Sequence, residues 1–194
     1  MLQMANALAT VVSGGLRFEP RLVREIEHVI THERRLVASA ALPPLPYRPE
    51  HVALINRALQ GVVLEGTSAR VFAGAAYTSG GKTGTAQAVG IRQNQKYDAS
   101  KLEEHQRDHS LYIAMAPKEA PTVALAVIVE NSGFGAEAAA PIARRVFDYL
   151  LTGQAPSEED MAATRIGKSA APIGTPRRAA DMPLPGVAAA GDAR

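Results

Sequence analysis

The 194-residue sequence predicts a fold of the α/β class, of the α+β type, in which an antiparallel sheet is flanked by helices. Two apolar stretches of strand length, 111–116 (LYIAMA) and 122–130 (TVALAVIVE), are joined by a short segment that does not fit a helix. Strands joined in this way are usually antiparallel neighbours. Amphipathic stretches at 2–13 and 136–151 predict helices that cover the two faces of the sheet.

The first part of the chain predicts a helix, a hairpin and a connector. Residues 2–13 place apolar side chains at helical spacing, and Gly14 ends the pattern. Residues 21–38 fit either a charged helix or two short strands with a turn between them, and we favour the hairpin. Four prolines within 39–49 predict an extended connector.

A second helix is better marked than the first. Pro49 suits a first helical turn, an apolar stripe follows it, and Gly66 ends the pattern. Thr67 is predicted to cap a short helix over residues 68–73. The polar, charged stretch 91–108 predicts an excursion on the surface between two strands.

The rear of the chain predicts two strands and a tail. Leu111, Ile113 and Met115 are expected to share one face of the first strand. The second strand is apolar on both faces, which predicts a central strand that is covered on both sides. Residues 152–194 are rich in Ala and Pro without a sustained period, so we predict a disordered tail after a domain that spans 1–151.

The composition limits the function classes. The formal charge is +2, and the Lys and Arg residues are scattered, so no basic patch indicates a nucleic-acid partner. The chain has no cysteine, which excludes a disulfide framework and a thiol nucleophile. No apolar run approaches the roughly 20 residues that span a bilayer, and no signal peptide is recognised before the first helix. We find no cofactor pattern and expect no cofactor.

The segment 76–87, AYTSGGKTGTAQ, carries the most distinctive pattern in the chain. On a strand, Lys82 would supply a positive field, and Thr83 and Thr85 would supply hydroxyl donors for a carboxylate. Gly84 has no Cβ, so an extended peptide can lie close to the strand and pair with its backbone. A free backbone N–H of such a strand can also stabilise an oxyanion. The pattern predicts a carboxylate-binding site for acyl transfer.

Two other interpretations of this segment stay open. Gly-Lys-Thr also ends the P-loop pattern for phosphate binding, but that pattern requires a glycine where this chain has Ala76, and a helix after the lysine. The other interpretation is a glycine-rich hairpin whose exposed Lys82 has no function.

Four segments resemble, in the same order, the transpeptidase domain of class B penicillin-binding proteins, and specifically the branch that acts in cell elongation. They are LQMANALATVVSGGLRFEPRLV, GGKTGTAQ, KYDASKLEEHQRDHSLYIAMAPKEAPTVALAVIVEN and AAPIARRVFDYLL. GGKTGTAQ resembles the third active-site motif of that family. The resemblance covers residues 1–151 and implies a partial β-lactamase/transpeptidase-like fold, formed by the C-terminal part of the transpeptidase domain.

The resemblance implies a role for each residue of the motif. Lys82 would set the electrostatics of the catalytic cleft. Thr83 and Thr85 would bind the carboxylate of a D-Ala-D-Ala stem peptide or of a β-lactam. Gly84 would keep the strand open to the substrate, and the backbone N–H of Thr85 would be one oxyanion-hole donor.

The resemblance also implies partners and a location for a full-length protein. It implies a serine-type D,D-transpeptidase that cross-links peptidoglycan, with a glycosyltransferase of the elongation complex as partner. It further implies an anchor in the bacterial inner membrane and a periplasmic catalytic domain, with the anchor encoded before the part that this chain represents.

The family's nucleophile lies in an S-x-x-K motif at the start of a helix, and its second motif is S-x-N. Only Ser79 has a lysine three residues later, through SGGK, and two central glycines disfavour a helix by about 1 kcal/mol each. No serine is followed by asparagine two positions later. We therefore expect that this chain alone is inactive, is not acylated by penicillin and folds poorly. The alternative function is a non-catalytic, carboxylate-binding module.

The histidines give no strong indication of a metal site. His28 and His32 have a spacing that suits metal ligands on a helix, but no acid or cysteine completes a set. We expect surface histidines and no metal. His109 precedes a strand at the rim of the predicted cleft, so it is the histidine with the strongest claim to a functional position.

Four charged residues have structural interpretations. Asp98 and Asp108 flank the charged loop and are expected to fix it or to contact a partner rather than to transfer protons. Arg144 and Arg145 are predicted to lie on the solvated face of the last helix.

Overall fold

The computed structural model describes residues 1–90, 97–166 and 170–182. The helices are α1 (Leu2–Val12), α2 (Pro49–Leu64), α3 (Ala69–Phe72), α4 (Ala139–Thr152) and α5 (Glu158–Arg165). The strands are β1 (Arg17–Phe18), β2 (Glu25–Glu27), β3 (Arg34–Leu36), β4 (Ala41–Leu42), β5 (Gly80–Ala86), β6 (His109–Ala116), β7 (Val123–Val129), β8 (Gln154–Ala155) and β9 (Arg177–Arg178). No helix within these described ranges is long and apolar enough to cross a bilayer.

A three-stranded antiparallel sheet in the order β5-β6-β7 lies at the centre of the domain. Its register pairs Lys82 with Ile113, and Ile113 with Ala126. The predicted antiparallel neighbours and the α+β type of the fold are therefore confirmed. The prediction that the strand now named β7 is central is wrong, because within the described residues β7 pairs only with β6. Its two apolar faces reflect helices packed on both sides of the sheet.

Helices α1 and α4 cover opposite faces of this sheet, as the sequence predicts. Side chains alternate along β6, so Tyr112 and Ala114 lie on the α4 side, whereas Leu111, Ile113 and Met115 lie on the α1 side. On the α4 side, the helix contributes three small residues, which let it lie close to the sheet, and one aromatic ring to the core: Ala139, Ala140, Ala143 and Phe147. The core on the α1 side contains Leu8 and Val12.

Two small strand pairs lie between α1 and α2. Strands β2 and β3 form the predicted hairpin, in which Glu27 pairs with Arg34 across the strands at 2.9 Å. The proline-rich connector is more ordered than predicted, because its strand β4 pairs with β1 and places Leu42 opposite Arg17.

The loop between β5 and β6 is described from residue 97 onward, and residues 91–96 of the predicted surface excursion lie outside the described residues. The Asp98 carboxylate accepts hydrogen bonds from the hydroxyl of Ser100 at 2.6 Å and pairs with Lys101 at 3.2 Å. These contacts, the hydroxyl first, lower the pKa of Asp98. Asp98 therefore fixes this loop, as predicted.

The segment after α4 is not the disordered tail that the sequence predicts, at least over its described residues 153–166 and 170–182. Strands β8 and β9 pair, and α5 lies between them in the chain. Ser157 begins α5 by accepting a hydrogen bond from the N–H of Asp160 at 2.9 Å. The prediction is wrong here because long-range contacts hold the segment, and local composition does not reveal such contacts.

The two arginines of α4 do not lie on a solvated face, so that prediction is also wrong. Arg144 is 7% exposed, and its Nη1 donates to the carbonyls of Val71 and Ala73, both at 3.1 Å. Arg145 donates from Nε at 2.8 Å and from Nη2 at 2.6 Å to the fully buried carboxylate of Asp160. Each arginine joins α4 to a segment that is distant in sequence, which an amphipathic pattern cannot show.

We expect the substitution Asp160→Ala to release the C-terminal segment from α4. Loss of one partner of a buried ion pair commonly costs about 3–5 kcal/mol. Here the released Arg145 regains water, so we expect local opening rather than global unfolding. Limited proteolysis should then cut within residues 153–182 while α4 stays intact. Glu159→Ala removes a neighbouring acid of the same helical turn and should leave the cleavage rate unchanged. Equal protection of both variants would contradict the anchoring role of Asp160.

Gly81 is required by a close approach between β5 and β6. A Cβ built on Gly81 would lie 2.2 Å from Oη and 2.5 Å from Cζ of the fully buried Tyr112. A real side chain here must displace the ring or bend β5.

We expect Gly81→Ala to destabilise the protein by about 1–3 kcal/mol, the usual cost of forcing an extra methyl into a packed core. Denaturant unfolding followed by circular dichroism measures this loss. Gly90→Ala is the matched control, because nothing lies within 4 Å of its Cβ position. If Gly81→Ala is as stable as Gly90→Ala, the close packing of Tyr112 does not constrain β5.

Candidate functional site

The lysine segment forms β5, a strand of seven residues at one edge of the central sheet. Gly80 and Gly81 are buried, whereas Lys82 and Thr85 are exposed. A Cβ on Gly80 would lie 3.0 Å from both Leu59 of α2 and Met115 of β6. The two glycines therefore let the start of β5 enter the core, and the strand emerges from it at Lys82.

The ammonium group of Lys82 lies along the outer side of the strand. Its Nζ donates a hydrogen bond to the carbonyl of the next residue, Thr83. The register places the Lys82 side chain on the side of the sheet that carries Ile113, and Thr83 on the side of Tyr112. The motif therefore presents groups on both sides of one strand.

The hydroxyl of Thr83 has a partner that the sequence did not indicate. Oγ1 of Thr67, in the loop between α2 and α3, lies 2.9 Å from Oγ1 of Thr83. The prediction that Thr67 caps the following helix is wrong, because α3 starts after Ser68 and has no side-chain cap. Thr67 orients the motif threonine instead.

Gly84 is closed on one side by packing. A Cβ on Gly84 would lie 3.2 Å from Cβ of Leu111. The loop after β7 also approaches closely, because a Cβ on Gly135 would lie 2.4 Å from the Leu111 carbonyl oxygen and 2.6 Å from that of Gly84. The loop after β7 therefore packs directly against the backbone of β5 at Gly84.

Tyr112 and Ser68 support the strand from beneath. Their hydroxyl groups lie 2.9 Å apart, and the Ser68 hydroxyl also reaches the Val62 carbonyl at 3.1 Å. Burial raises the pKa of Tyr112 to about 12, although the bond to Ser68 opposes this shift. The phenol therefore stays neutral at physiological pH. Sequence reasoning missed this pair, since neither residue stands out from its local pattern.

A second support joins α4 to the segment that leads into β5. Nε of Arg144 donates to the Asp148 carboxylate at 2.9 Å, and the hydroxyl of Tyr77 donates to the same carboxylate at 2.9 Å. The guanidinium lies 6.0 Å from the ring centres of both Phe72 and Tyr77. Burial, followed by the charge of Asp148, raises the pKa of Tyr77. These contacts fix the segment two residues before Ser79.

Ser79 lies in this segment rather than at the start of a helix. It is 3% exposed, and its hydroxyl has no hydrogen-bond partner among the described residues. A nucleophile of the S-x-x-K type needs a helical turn to bring lysine beside serine. The local backbone gives Ser79 no such turn.

Three of the histidines outside the motif take part in local hydrogen bonds. His28 accepts hydrogen bonds from two N–H groups at the hairpin tip, and His32 lies 2.9 Å from Glu27. His109, at the start of β6, accepts from the N–H of Asn131 at 3.0 Å. No group of three or more metal-ligating His, Cys, Asp or Glu side chains occurs in the described ranges.

Asp108 is buried beside the rim of the sheet, at 6% exposure. Its backbone N–H donates to the hydroxyl of Tyr97 at 3.0 Å, and its carbonyl accepts from the N–H of Gly133 at 2.9 Å. The backbone of Asp108 therefore links the loop before β6 to the loop after β7.

The P-loop interpretation is wrong. Lys82 lies within a strand, and the described residues that follow β5 directly, 87–90, contain no helix. A phosphate site of that type needs the positive end of a helix after the lysine.

Comparisons with known proteins agree with this geometry. The sequence profile of the penicillin-binding protein transpeptidase domain matches residues 1–148. Peptidoglycan D,D-transpeptidase MrdA of Haemophilus influenzae is 35% identical over 162 residues, which cover 81% of this chain and 24% of that protein. The chain thus spans about a quarter of the length of the curated relatives it matches.

Solved structures give the same result. The crystal structure of Pseudomonas aeruginosa PBP2 in complex with WCK 5153 matches with a TM-score of 0.58 and 29% identity, over 77% of this chain and 30% of that one. The ceftriaxone acyl-enzyme complex of penicillin-binding protein A from Mycobacterium tuberculosis matches with a TM-score of 0.59 and 28% identity, over 76% of this chain and 31% of that one. The chain belongs to the penicillin-binding protein transpeptidase family, and its relatives include peptidoglycan D,D-transpeptidases of the PBP2 type.

Proposed function

We propose that β5 is the carboxylate-binding strand of a D,D-transpeptidase that cross-links peptidoglycan stem peptides during cell-wall elongation. The observation that carries the proposal is the position of the motif on an edge strand, with Lys82 and Thr85 exposed to solvent. An edge strand can take an extended peptide as an additional strand. Thr83 and Thr85, which project to the same side of the strand, then meet the terminal D-Ala-D-Ala carboxylate of such a peptide, or that of a β-lactam, in the positive field of Lys82.

The roles within the motif follow from charge and hydrogen bonding. Lys82 supplies the positive field that attracts a carboxylate. Its ammonium group has to give up the hydrogen bond to the Thr83 carbonyl before it can donate to a ligand. Hydrogen bonds between charged groups are stronger than neutral ones. Thr83 is held in orientation by Thr67, at 2.9 Å between their hydroxyl oxygens, so it meets the carboxylate with little loss of rotamer freedom.

The backbone of Thr85 is suited to an oxyanion hole. The Thr83 carbonyl accepts from an exposed lysine, which indicates that it points away from β6. In an antiparallel strand, the N–H and C=O groups of one residue point to the same side, and residues two apart in sequence point to the same side as each other. The N–H of Thr85 therefore also points to the free edge, where it can stabilise the oxyanion formed during attack on the peptide carbonyl.

The nucleophile of the reaction comes from a polypeptide segment outside this chain. Ser79, the serine of the S-x-x-K sequence, is buried and lies outside any helix, which supports the assignment of the nucleophile to another segment. The full-length protein supplies the reactive serine, its lysine and the S-x-N motif. It also has the membrane anchor, the periplasmic location and the glycosyltransferase partner that the family resemblance implies.

A second candidate function is a module that binds carboxylates without catalysis. The buried position of Ser79 favours it for this chain in isolation, because recognition by β5 requires no nucleophile. The two functions share the same binding strand and differ in whether a covalent adduct forms.

The test measures binding and acylation in the same samples. We expect D-Ala-D-Ala to bind in ligand-observed NMR, and its C-terminal amide, which has no charge there, to bind at least roughly tenfold more weakly. Lys82→Ala should weaken binding of the acid by a similar factor, whereas Lys101→Ala, on the loop before β6, should not. Thermal unfolding of each variant checks that the fold is kept.

Intact-mass spectrometry after incubation with penicillin completes the experiment. We expect no covalent adduct with this chain. A stoichiometric adduct on Ser79 would overturn the assignment of the nucleophile to another segment. Equal binding of the acid and the amide would overturn the carboxylate-binding role of β5.

A further inference from the structure

The hydroxyl of Ser110, near the start of β6, joins this strand to the loop after β7 and to α4. Ser110 is fully buried, and its Oγ donates to the carbonyl of Phe134 at 3.0 Å. The same Oγ accepts from the N–H of Ala139, the first residue of α4, at 3.0 Å. The first N–H groups of a helix have no partner within the helix, and Ala138, which precedes α4, provides no side-chain cap. A serine from a strand therefore takes the place of that cap.

Two neighbours of Ser110 bind the same loop. The carbonyl of Asp108 accepts from the N–H of Gly133 at 2.9 Å, and Nδ1 of His109 accepts from the N–H of Asn131 at 3.0 Å. Three consecutive residues around the start of β6 thus fix the path of the loop across the sheet. Ser110 is the one of the three whose side chain bonds both the loop and α4.

The loop crosses the sheet on the side to which the motif threonines project. The register places Ser110 directly opposite Thr85. Side chains of directly opposite residues lie on the same face, with Cβ atoms about 4.5–5.5 Å apart. Because Ser110 donates to Phe134, the loop lies on that face. It is therefore next to the side chains of Thr83 and Thr85.

The loop meets β5 at the residue between the two threonines. A Cβ on Gly135 would lie 2.6 Å from the carbonyl oxygen of Gly84 and 3.0 Å from its nitrogen. The carbonyl of Gly84 and the N–H of Thr85 belong to one planar peptide group and point to opposite sides of the strand. Packing of Gly135 on this carbonyl therefore also fixes the direction of the Thr85 N–H.

We propose that Ser110 is a positioning residue for the carboxylate site and the oxyanion donor on β5. Its two hydrogen bonds hold Gly135 against the peptide group that joins Gly84 to Thr85. The N–H and the hydroxyl of Thr85 then keep one orientation before a ligand arrives, and donors that are fixed in advance lose little freedom on binding. This inference rests on the function proposed for β5, and it adds to that function a residue outside the motif that does not touch the ligand.

A buried serine in the C-terminal segment offers a matched control. Oγ of Ser157 also donates to a distant carbonyl, that of Ile173 at 2.6 Å, and also accepts from a helix N–H, that of Asp160 at 2.9 Å. Ser157→Ala therefore removes the same pair of hydrogen bonds as Ser110→Ala, but in the segment that follows α4 rather than opposite β5.

The first measurement is the dissociation constant of D-Ala-D-Ala by ligand-observed NMR, with thermal unfolding of each variant. We expect Ser110→Ala to weaken binding by roughly fivefold, because the ligand itself must then order the donors of Thr85. Ser157→Ala should bind the ligand as the unmodified chain does, although it also loses thermal stability.

A double-mutant cycle tests whether Ser110 acts through Thr85. Thr85→Val removes the hydroxyl at an exposed position and keeps the shape of the side chain. We expect Ser110→Ala to change binding by less than about twofold in the Thr85→Val background, because two changes that act on one contact are not additive. A loss of folded protein would instead reduce binding by the same factor in both backgrounds.

Gly135→Ala disturbs the same contact without changing Ser110, so the test stands where Ser110→Ala fails to fold. The added methyl would lie 2.4 Å from the Leu111 carbonyl oxygen and must displace the loop. We expect it to weaken binding of D-Ala-D-Ala by a similar factor. Gly90→Ala, at a position with nothing within 4 Å of its Cβ, should leave binding unchanged.

The results separate this inference from the function on which it rests. If the unmodified chain does not bind D-Ala-D-Ala, the carboxylate-binding role of β5 is overturned and the inference falls with it. If the chain binds but Ser110→Ala has no effect, or the same effect as Ser157→Ala, the positioning role alone is overturned. Equal effects of Ser110→Ala with and without Thr85→Val have the same consequence. Weaker binding that depends on the Thr85 hydroxyl supports the role.

Discussion

The packing of the Tyr112 ring against the backbone of Gly81 determines where the lysine strand lies. The ring fills the space that a side chain on β5 would occupy, and its hydroxyl is held by Ser68 at 2.9 Å. The first two residues of β5 are therefore part of the core, whereas Lys82 and Thr85 are exposed to solvent. This arrangement makes the strand rigid, because its exposed residues follow directly on two residues that are packed in the core.

Two arginines of helix α4 form hydrogen bonds with segments that are distant in the sequence. Arg144 satisfies carbonyl groups at the end of α3 and shares Asp148 with Tyr77, just before β5. Arg145 holds the C-terminal segment through Asp160. Buried guanidinium groups are costly unless all their donors find partners. The two arginines therefore specify the arrangement around α4 as well as stabilising it.

Local pattern was enough for the helices, the hairpin and the antiparallel sheet, because periodicity and turn residues reflect local geometry. It failed for β7, since apolar faces show which sides are covered but not which edges are paired. It also failed for residues after 152, where Ser157 and the acids that follow it were a readable helix start, but the ion pair between Arg145 and Asp160 was not. In the site, the motif itself was predictable, whereas supports such as Thr67 depend on contacts between segments far apart in sequence.

The two edges of the central sheet differ in one physical respect. β5 has a lysine at its third position, and a charge on an edge strand hinders its pairing with another strand. The same charge favours a peptide that ends in a carboxylate. In the function proposed for β5, Lys82 attracts the carboxylate ligand and opposes pairing with an identical strand. β7 has no charged residue among its seven positions.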